Sequence, residues 1–80
     1  MKPEHVIRFG AISASVFVNE MQGESGKKTV RNVKLQRRYR NGDGEWKSSN
    51  SFTLADLPVV IVVMQRAMNY VAEMEADSGE

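Results

Sequence analysis

The chain has no cysteine, one histidine, one tryptophan and two prolines among its 80 residues. Without cysteine there is no disulfide and no thiolate metal site to staple a small fold. The one histidine, His5, leaves no histidine pair for a zinc site. The usual hydrolytic constellations are excluded by the same shortage. No Cys nucleophile exists, the only His sits at the terminus, and no two carboxylates are placed to act together. No enzyme activity, metal, cofactor or small-molecule substrate is therefore expected. Long apolar runs are missing too. The longest, Val59 to Met64, falls far short of the about 20 residues that cross a bilayer. The polar start Met1-Lys2-Pro3-Glu4-His5 has nothing of a secretory signal. The expectation is a soluble cytoplasmic protein, nucleoid-associated if prokaryotic, with no membrane partner. A core built from so short a chain is small, and without staples the common remedy is oligomerisation.

Acidic residues are also unevenly missing. None occurs between Glu24 and Asp43. The stretch from Lys27 to Lys47 holds eight of the eleven basic residues against two acids, Asp43 and Glu45. Its local charge is +6 in a chain whose total is +1, because residues 55–80 sum to −4. Tyr39 and Trp46 fall inside the same stretch. Cations interleaved with aromatics suit nucleic acid, since the charges meet phosphates and the rings offer faces to bases. A plain solvated strand surface is the competing reading of the same residues.

Periodicity gives the elements. Residues 1–5 read as a flexible arm, with His5 idle in it, residues 6–75 as a single nucleic-acid-binding domain, and 76–80 as a flexible acidic tail. Ile12, Ala14, Val16 and Val18 alternate with Ser13, Ser15, Phe17 and Asn19, which predicts a half-buried strand. A short strand over 6–9 precedes it, and Gly10 marks a bend. Residues 20–28 read as a polar loop. Over 29–40, Val33, Leu35 and Tyr39 occupy one face, with Arg37 among them. Lys34, Arg38 and Arg40 occupy the other, beside Asn32 and Gln36. Asn41-Gly42-Asp43-Gly44 is a strong turn signal leading into a strand over about 45–53. In that last strand alternation puts Trp46 on the side of Phe52, which predicts packing in the core or in a dimer. The run Ser48-Ser49-Asn50-Ser51 is either polar strand filler or a set of donors to phosphates and bases.

Residues 54–77 read as one helix. Leu57, Val60, Ile61, Met64, Ala67, Met68, Val71 and Met74 recur at spacings of three and four. Val59, Val62 and Val63 add a second apolar stripe to the first half. A helix apolar nearly all round is buried nearly all round, and a small sheet covers only one side. A homodimer follows, with Val59, Val62, Val63 and Trp46 expected at its interface. The fold class is thus α+β: a four-stranded antiparallel sheet followed by one long C-terminal helix, dimerising through the helix.

This order resembles the positive-cofactor-four family of transcriptional coactivators and, more distantly, the Whirly proteins. The likeness is clearest in Arg37-Arg38-Tyr39-Arg40-Asn41-Gly42-Asp43-Gly44-Glu45-Trp46-Lys47, a basic-aromatic strand end that enters an acidic-Gly-Glu turn. Phe52-Thr53-Leu54-Ala55-Asp56-Leu57-Pro58 then resembles the family's approach to its long helix. The resemblance implies a dimer that binds single-stranded DNA with little sequence preference in transcription, replication or recombination. It puts the family's cation-aromatic pattern on Arg37, Tyr39 and Arg40, and the aromatic of its second strand on Phe17. Arg40 stands where that family tends to show an aromatic. The expected nucleic-acid contacts are Phe17, Lys27, Lys28, Lys34, Arg37, Arg38, Arg40 and Lys47. RNA binding is one alternative, and docking of an acidic protein on the basic face is another.

Overall fold

The alternation of β-branched and polar residues across the first half of the chain produces an antiparallel meander. In the computed structural model, which describes residues 2–77, four strands lie in the order β1-β2-β3-β4. They are β1 (His5–Phe9), β2 (Ile12–Gly23), β3 (Gly26–Arg40) and β4 (Trp46–Ser49). A 3-10 turn, Leu54–Asp56, leads into the helix α1 (Leu57–Asp77). The α+β class, the four antiparallel strands and the single C-terminal helix are those the periodicity predicts.

Two boundaries differ from expectation. The segment over 20–28 is no loop: β2 and β3 pair continuously from Ile12↔Arg37 to Gly23↔Gly26. Polar side chains do not stop a ladder whose two faces are both wet, so pairing runs on to the two-residue turn Glu24-Ser25. At ~3.3 Å per residue the 15 residues of β3 span ~50 Å, which matches the 51 Å long axis of the molecule. β4 is shorter than predicted. It ends at Ser49, whose Oγ accepts the amide of Ser51 at 3.0 Å and turns the chain out of the sheet.

The helix lies on β1 and β2, and the buried core forms there. Ile12 and Ala14 of β2 meet Val60, Val63 and Ala67 of α1, flanked by Ile7, Leu35, Phe52 and Val59. Burying this set removes apolar surface from water at about 25 cal/mol per Å2. Thr53 and Asp56 fix the start of the helix. The Asp56 carboxylate accepts the Thr53 amide at 2.9 Å and the Thr53 hydroxyl at 3.0 Å. These bonds, the backbone one foremost, hold the Asp56 carboxyl below its ordinary range, with the nearby Arg37 charge adding to them. Pro58 is the second helical residue, where its missing N–H costs no helical bond.

The two apolar stripes of α1 are not buried as separate sets: Val60 and Ala67 of the first enter the core together with Val63 of the second. Val63 is fully buried inside the monomer, which takes it out of any interface, and Val59 packs partly against the same core. Leu57, Ile61, Met64 and Met68 of the first stripe are exposed, and Val62 is on the margin at 37%. The helix has more apolar surface than β1 and β2 cover, and the sheet takes only the Val60, Val63 and Ala67 side. By length and composition Leu54–Ala76 is also apolar enough to cross a membrane, although the apolar run within it is short.

The N-terminal arm is tied down at its end. The Glu4 amide donates to the Val16 carbonyl at 2.7 Å, and β1 begins at His5. The Glu4 carboxylate accepts both Nε and Nη2 of Arg31, at 2.8 and 3.1 Å. His5 is not idle: its ring stacks on Tyr70 of α1 with centroids 4.3 Å apart. At the other end, α1 runs on to Asp77, two residues into the expected flexible tail, and the rest of that tail lies outside the described residues.

This latch makes an acid-range prediction. The Arg31 hydrogen bonds, and secondarily one from Tyr70, hold the Glu4 carboxyl below its ordinary value of 4.5. A depressed carboxyl contributes stability that is present above its unfolded pKa and lost as pH falls through the folded one. Thermal melts from about pH 7 to about pH 3 should therefore fall more steeply for the natural chain than for Glu4→Gln. Superimposable acid limbs would remove the latch as a source of stability.

Candidate nucleic-acid interface

Cross-strand register decides which side chains share a face. Directly paired residues of an antiparallel sheet point to the same side, and alternate positions point to opposite sides. Since Ile12 and Ala14 face the helix, their partners Arg37 and Leu35 do so too. Ser13, Ser15 and Phe17 therefore face outward with Gln36, Lys34 and Asn32. Val6 and Arg8 of β1 join them through Ser15 and Ser13. Arg38 and Arg40 join through Ser48 and Trp46 of β4. Lys28 stands on the same side opposite Met21, far along the hairpin.

This register sorts the cations into two chemical groups. Every ion pair among the described strand cations lies on the helix side. Arg31 is bound to Glu4 at 2.8 Å, and Arg37 lies 3.3 Å from Asp56. Lys27 and Lys47 each have a carboxylate, Glu20 and Glu45, at 3.9 Å. The outer-face cations Arg8, Lys28, Lys34, Arg38 and Arg40 have no carboxylate in reach among the described residues, and no strand residue of that face is acidic.

Of the predicted contacts, Phe17, Lys28, Lys34, Arg38 and Arg40 are thus brought together on one face. Lys27, Arg37 and Lys47 are not: they point to the helix side, and Arg37 is further held by the Ser51 carbonyl at 3.2 Å. Tyr39 is on that side as well, with the Arg37 guanidinium 5.3 Å from its ring centre. Phe17 is half-buried, and the Lys34 ammonium lies 5.7 Å from its ring centre.

Trp46 is the largest correction. It stands opposite Arg40 on the outer face, not beside Phe52. Alternation fails between the two because β4 stops at Ser49, after which Phe52 swings into the core. The Trp46 ring is 57% exposed, with the Arg38 and Arg40 guanidinium carbons 4.8 and 5.2 Å from its centre. At such separations a guanidinium is attracted to the face of the ring. An aromatic is thereby supplied across the strand pair, next to the position where Arg40 itself offers none. The turn that sets this register is built by Asn41. Its Oδ1 accepts the amides of Asp43 and Glu45 at 2.9 and 3.0 Å, and Gly44 takes φ +83, which other residues adopt only with strain.

Sequence reasoning missed Arg8 altogether. The signal was present: Arg8 alternates with Ile7 and Phe9, and the Gly10-Ala11 turn folds β1 back onto Ser13. An open pit of about 270 Å3 lies there, lined by Arg8, Gly10, Ala11, Ser13, Arg38 and Trp46. The outer face as a whole is a shallow cationic surface with two accessible rings, Phe17 and Trp46, set at separate places among arginines and lysines. Such a surface can neutralise phosphates and stack bases. The chain matches no protein-family model, no curated protein and no solved structure.

Proposed function

We propose that the protein binds single-stranded DNA across the outer face of its sheet, with phosphates on Lys28, Lys34, Arg38 and Arg40 and bases against Phe17 and Trp46. One observation carries this reading: the strand cations divide by face, those of the helix side each with a carboxylate within 4 Å and those of the outer face without one among the described residues. Unpaired cations on a surface free of acids favour a polyanion. The exposed Trp46 ring, with the half-buried Phe17, favours one whose bases are unstacked. The resemblance to the positive-cofactor-four family points the same way, to a protein that holds melted DNA in the cytoplasm during transcription, replication or recombination.

The working unit in this reading is a homodimer. Leu57, Ile61, Met64 and Met68 form a stripe at spacings of four, three and four along the free side of α1, all more than two-fifths exposed. Val33 and Tyr39 of β3 are also exposed, on the helix side of the sheet. A stripe of this kind joined to itself about a two-fold axis gives an isologous interface.

Fluorescence anisotropy with labelled single-stranded DNA, duplex DNA and RNA at two salt concentrations tests the function. Single-stranded DNA is expected to bind more tightly than duplex, to gain affinity with length up to a site size, and to lose it steeply with salt. Tighter binding of RNA of the same sequence would replace DNA by RNA as the ligand. Unbound oligonucleotides at low salt would leave the basic face to an acidic protein partner.

A further inference from the structure

The pit at the Gly10-Ala11 end of the outer face differs from the rest of that face. A wider hollow beside Lys34, Gln36 and Ser48 is lined by longer side chains and has no tryptophan. In the pit three small residues, Gly10, Ala11 and Ser13, form a floor, and larger side chains rise around it. Arg8 stands on the β1 side and Arg38 on the β3 side, two strand spacings away, or ~10 Å. Their relative placement is fixed by backbone: Arg8 pairs with Ser13, and the Arg38 amide donates to the Ala11 carbonyl at 2.9 Å. Trp46 closes the third side, its ring held against Arg38. At about 270 Å3 the space is below the ~300–1,000 Å3 of sites for drug-sized ligands, so it suits one flat group.

Its chemistry is lopsided. The side chains around it offer two guanidinium forks and one indole N–H. Ser13, itself almost fully buried, has the only side-chain oxygen. Neither Arg8 nor Arg38 has a carboxylate partner among the described residues. A group that fills such a site is planar and presents two adjacent acceptors on one edge. Among nucleobases guanine meets this description, because O6 and N7 accept an arginine fork side by side. At the same edge adenine sets an amino donor beside N7, cytosine offers its amino donor alone, and thymine offers O4 without a neighbouring N7.

We infer that this pit is a guanine-selective subsite: one unpaired guanine of the bound strand lies against Trp46 with O6 and N7 on the guanidinium of Arg8, since that of Arg38 already lies over the Trp46 ring. The inference rests on the single-strand reading above and adds a base preference at one position to a surface otherwise indifferent to sequence.

The test compares a labelled 12-mer of thymidine with the same 12-mer carrying one central guanine, adenine, cytosine or 7-deazaguanine, and with a 5′-phosphorylated thymidine 12-mer. The guanine oligonucleotide is expected to bind roughly tenfold tighter than all-thymidine, the size of one good bidentate pair. The 7-deazaguanine oligonucleotide, which lacks N7, should lose most of that factor. Arg8→Lys keeps the charge and removes the fork. Its guanine-to-thymine affinity ratio is expected to fall toward one, whatever happens to either affinity alone. Equal binding of all substituted oligonucleotides overturns the subsite while single-strand binding stands. So does a full guanine preference in Arg8→Lys, or an equal gain from the 5′-phosphate alone, which would make the pit a phosphate site. If no oligonucleotide binds at all, the single-strand reading itself fails.

Discussion

Replacing Arg38 and Arg40 together by alanine is expected to lower the dependence of log affinity on log salt by about 1.4, at about 0.7 per phosphate contact on single strands. At about 0.1 M salt that slope corresponds to a loss of roughly 25-fold, since affinity scales with salt to that power. The comparison that gives this meaning is Arg37→Ala. Arg37 belongs to the same strand and carries the same charge, but its guanidinium is held by Asp56 and the Ser51 carbonyl on the helix side. Its loss should leave the salt slope nearly unchanged and lower the melting temperature, because Asp56 at the helix start loses a partner. Titrations at several salt concentrations with a melt of each variant separate the two. Equal slopes lost from Arg37→Ala and from either outer-face arginine alone would mean attraction to overall charge, and the division of the cations by face would lose its significance.

The second large effect lies in the helix. Val63→Glu is expected to unfold the protein, because it puts an unpaired charge at a fully buried position. Removing the partner of a buried ion pair costs about 3–5 kcal/mol for the same reason, and a domain this small has little more than that to lose. Ile61→Glu, two residues earlier, should behave differently. Ile61 is 64% exposed in the monomer, so the charge remains solvated and the fold persists. What it should abolish is the dimer, by setting like charges in the middle of an apolar interface. Circular dichroism and sedimentation of both variants read these outcomes directly. A folded Val63→Glu protein would contradict the packing of α1 on the sheet. A natural chain that sediments as a monomer would remove the dimer, and unchanged association in Ile61→Glu would move its interface off this stripe.

Much of the fold is legible in the amino-acid order, because the signals involved are local. The alternation from Ile12 to Asn19 defines two faces of a strand, and Lys34, Arg38 and Arg40 fall on the same one whatever else the chain does. The turn at Asn41 is encoded in its own residues. The three- and four-residue spacings over 57–74 specify a helix without reference to the sheet.

What those patterns leave open is how the faces are matched. Trp46 illustrates it. Its side is set by pairing with Arg40 across a five-residue loop, and by the end of the ladder at Ser49, which breaks the alternation that would have linked it to Phe52. The helix illustrates it again. The first half of its sequence is apolar nearly all round, and nothing in the residue order says which side meets the sheet. The position of α1 over β1 and β2 makes that choice, burying Val60, Val63 and Ala67 and leaving Leu57, Ile61, Met64 and Met68 outside. Pairing of the cations follows from the same source. Arg31 and Arg37 are neutralised by Glu4 and Asp56, which lie 27 and 19 residues away in sequence and reach them only in the folded chain. The sequence by itself determined the elements, the faces of each strand and the basic character of one region. The tertiary structure alone decided which cations stay unpaired, since ion pairs depend on distance in space and not on order along the chain.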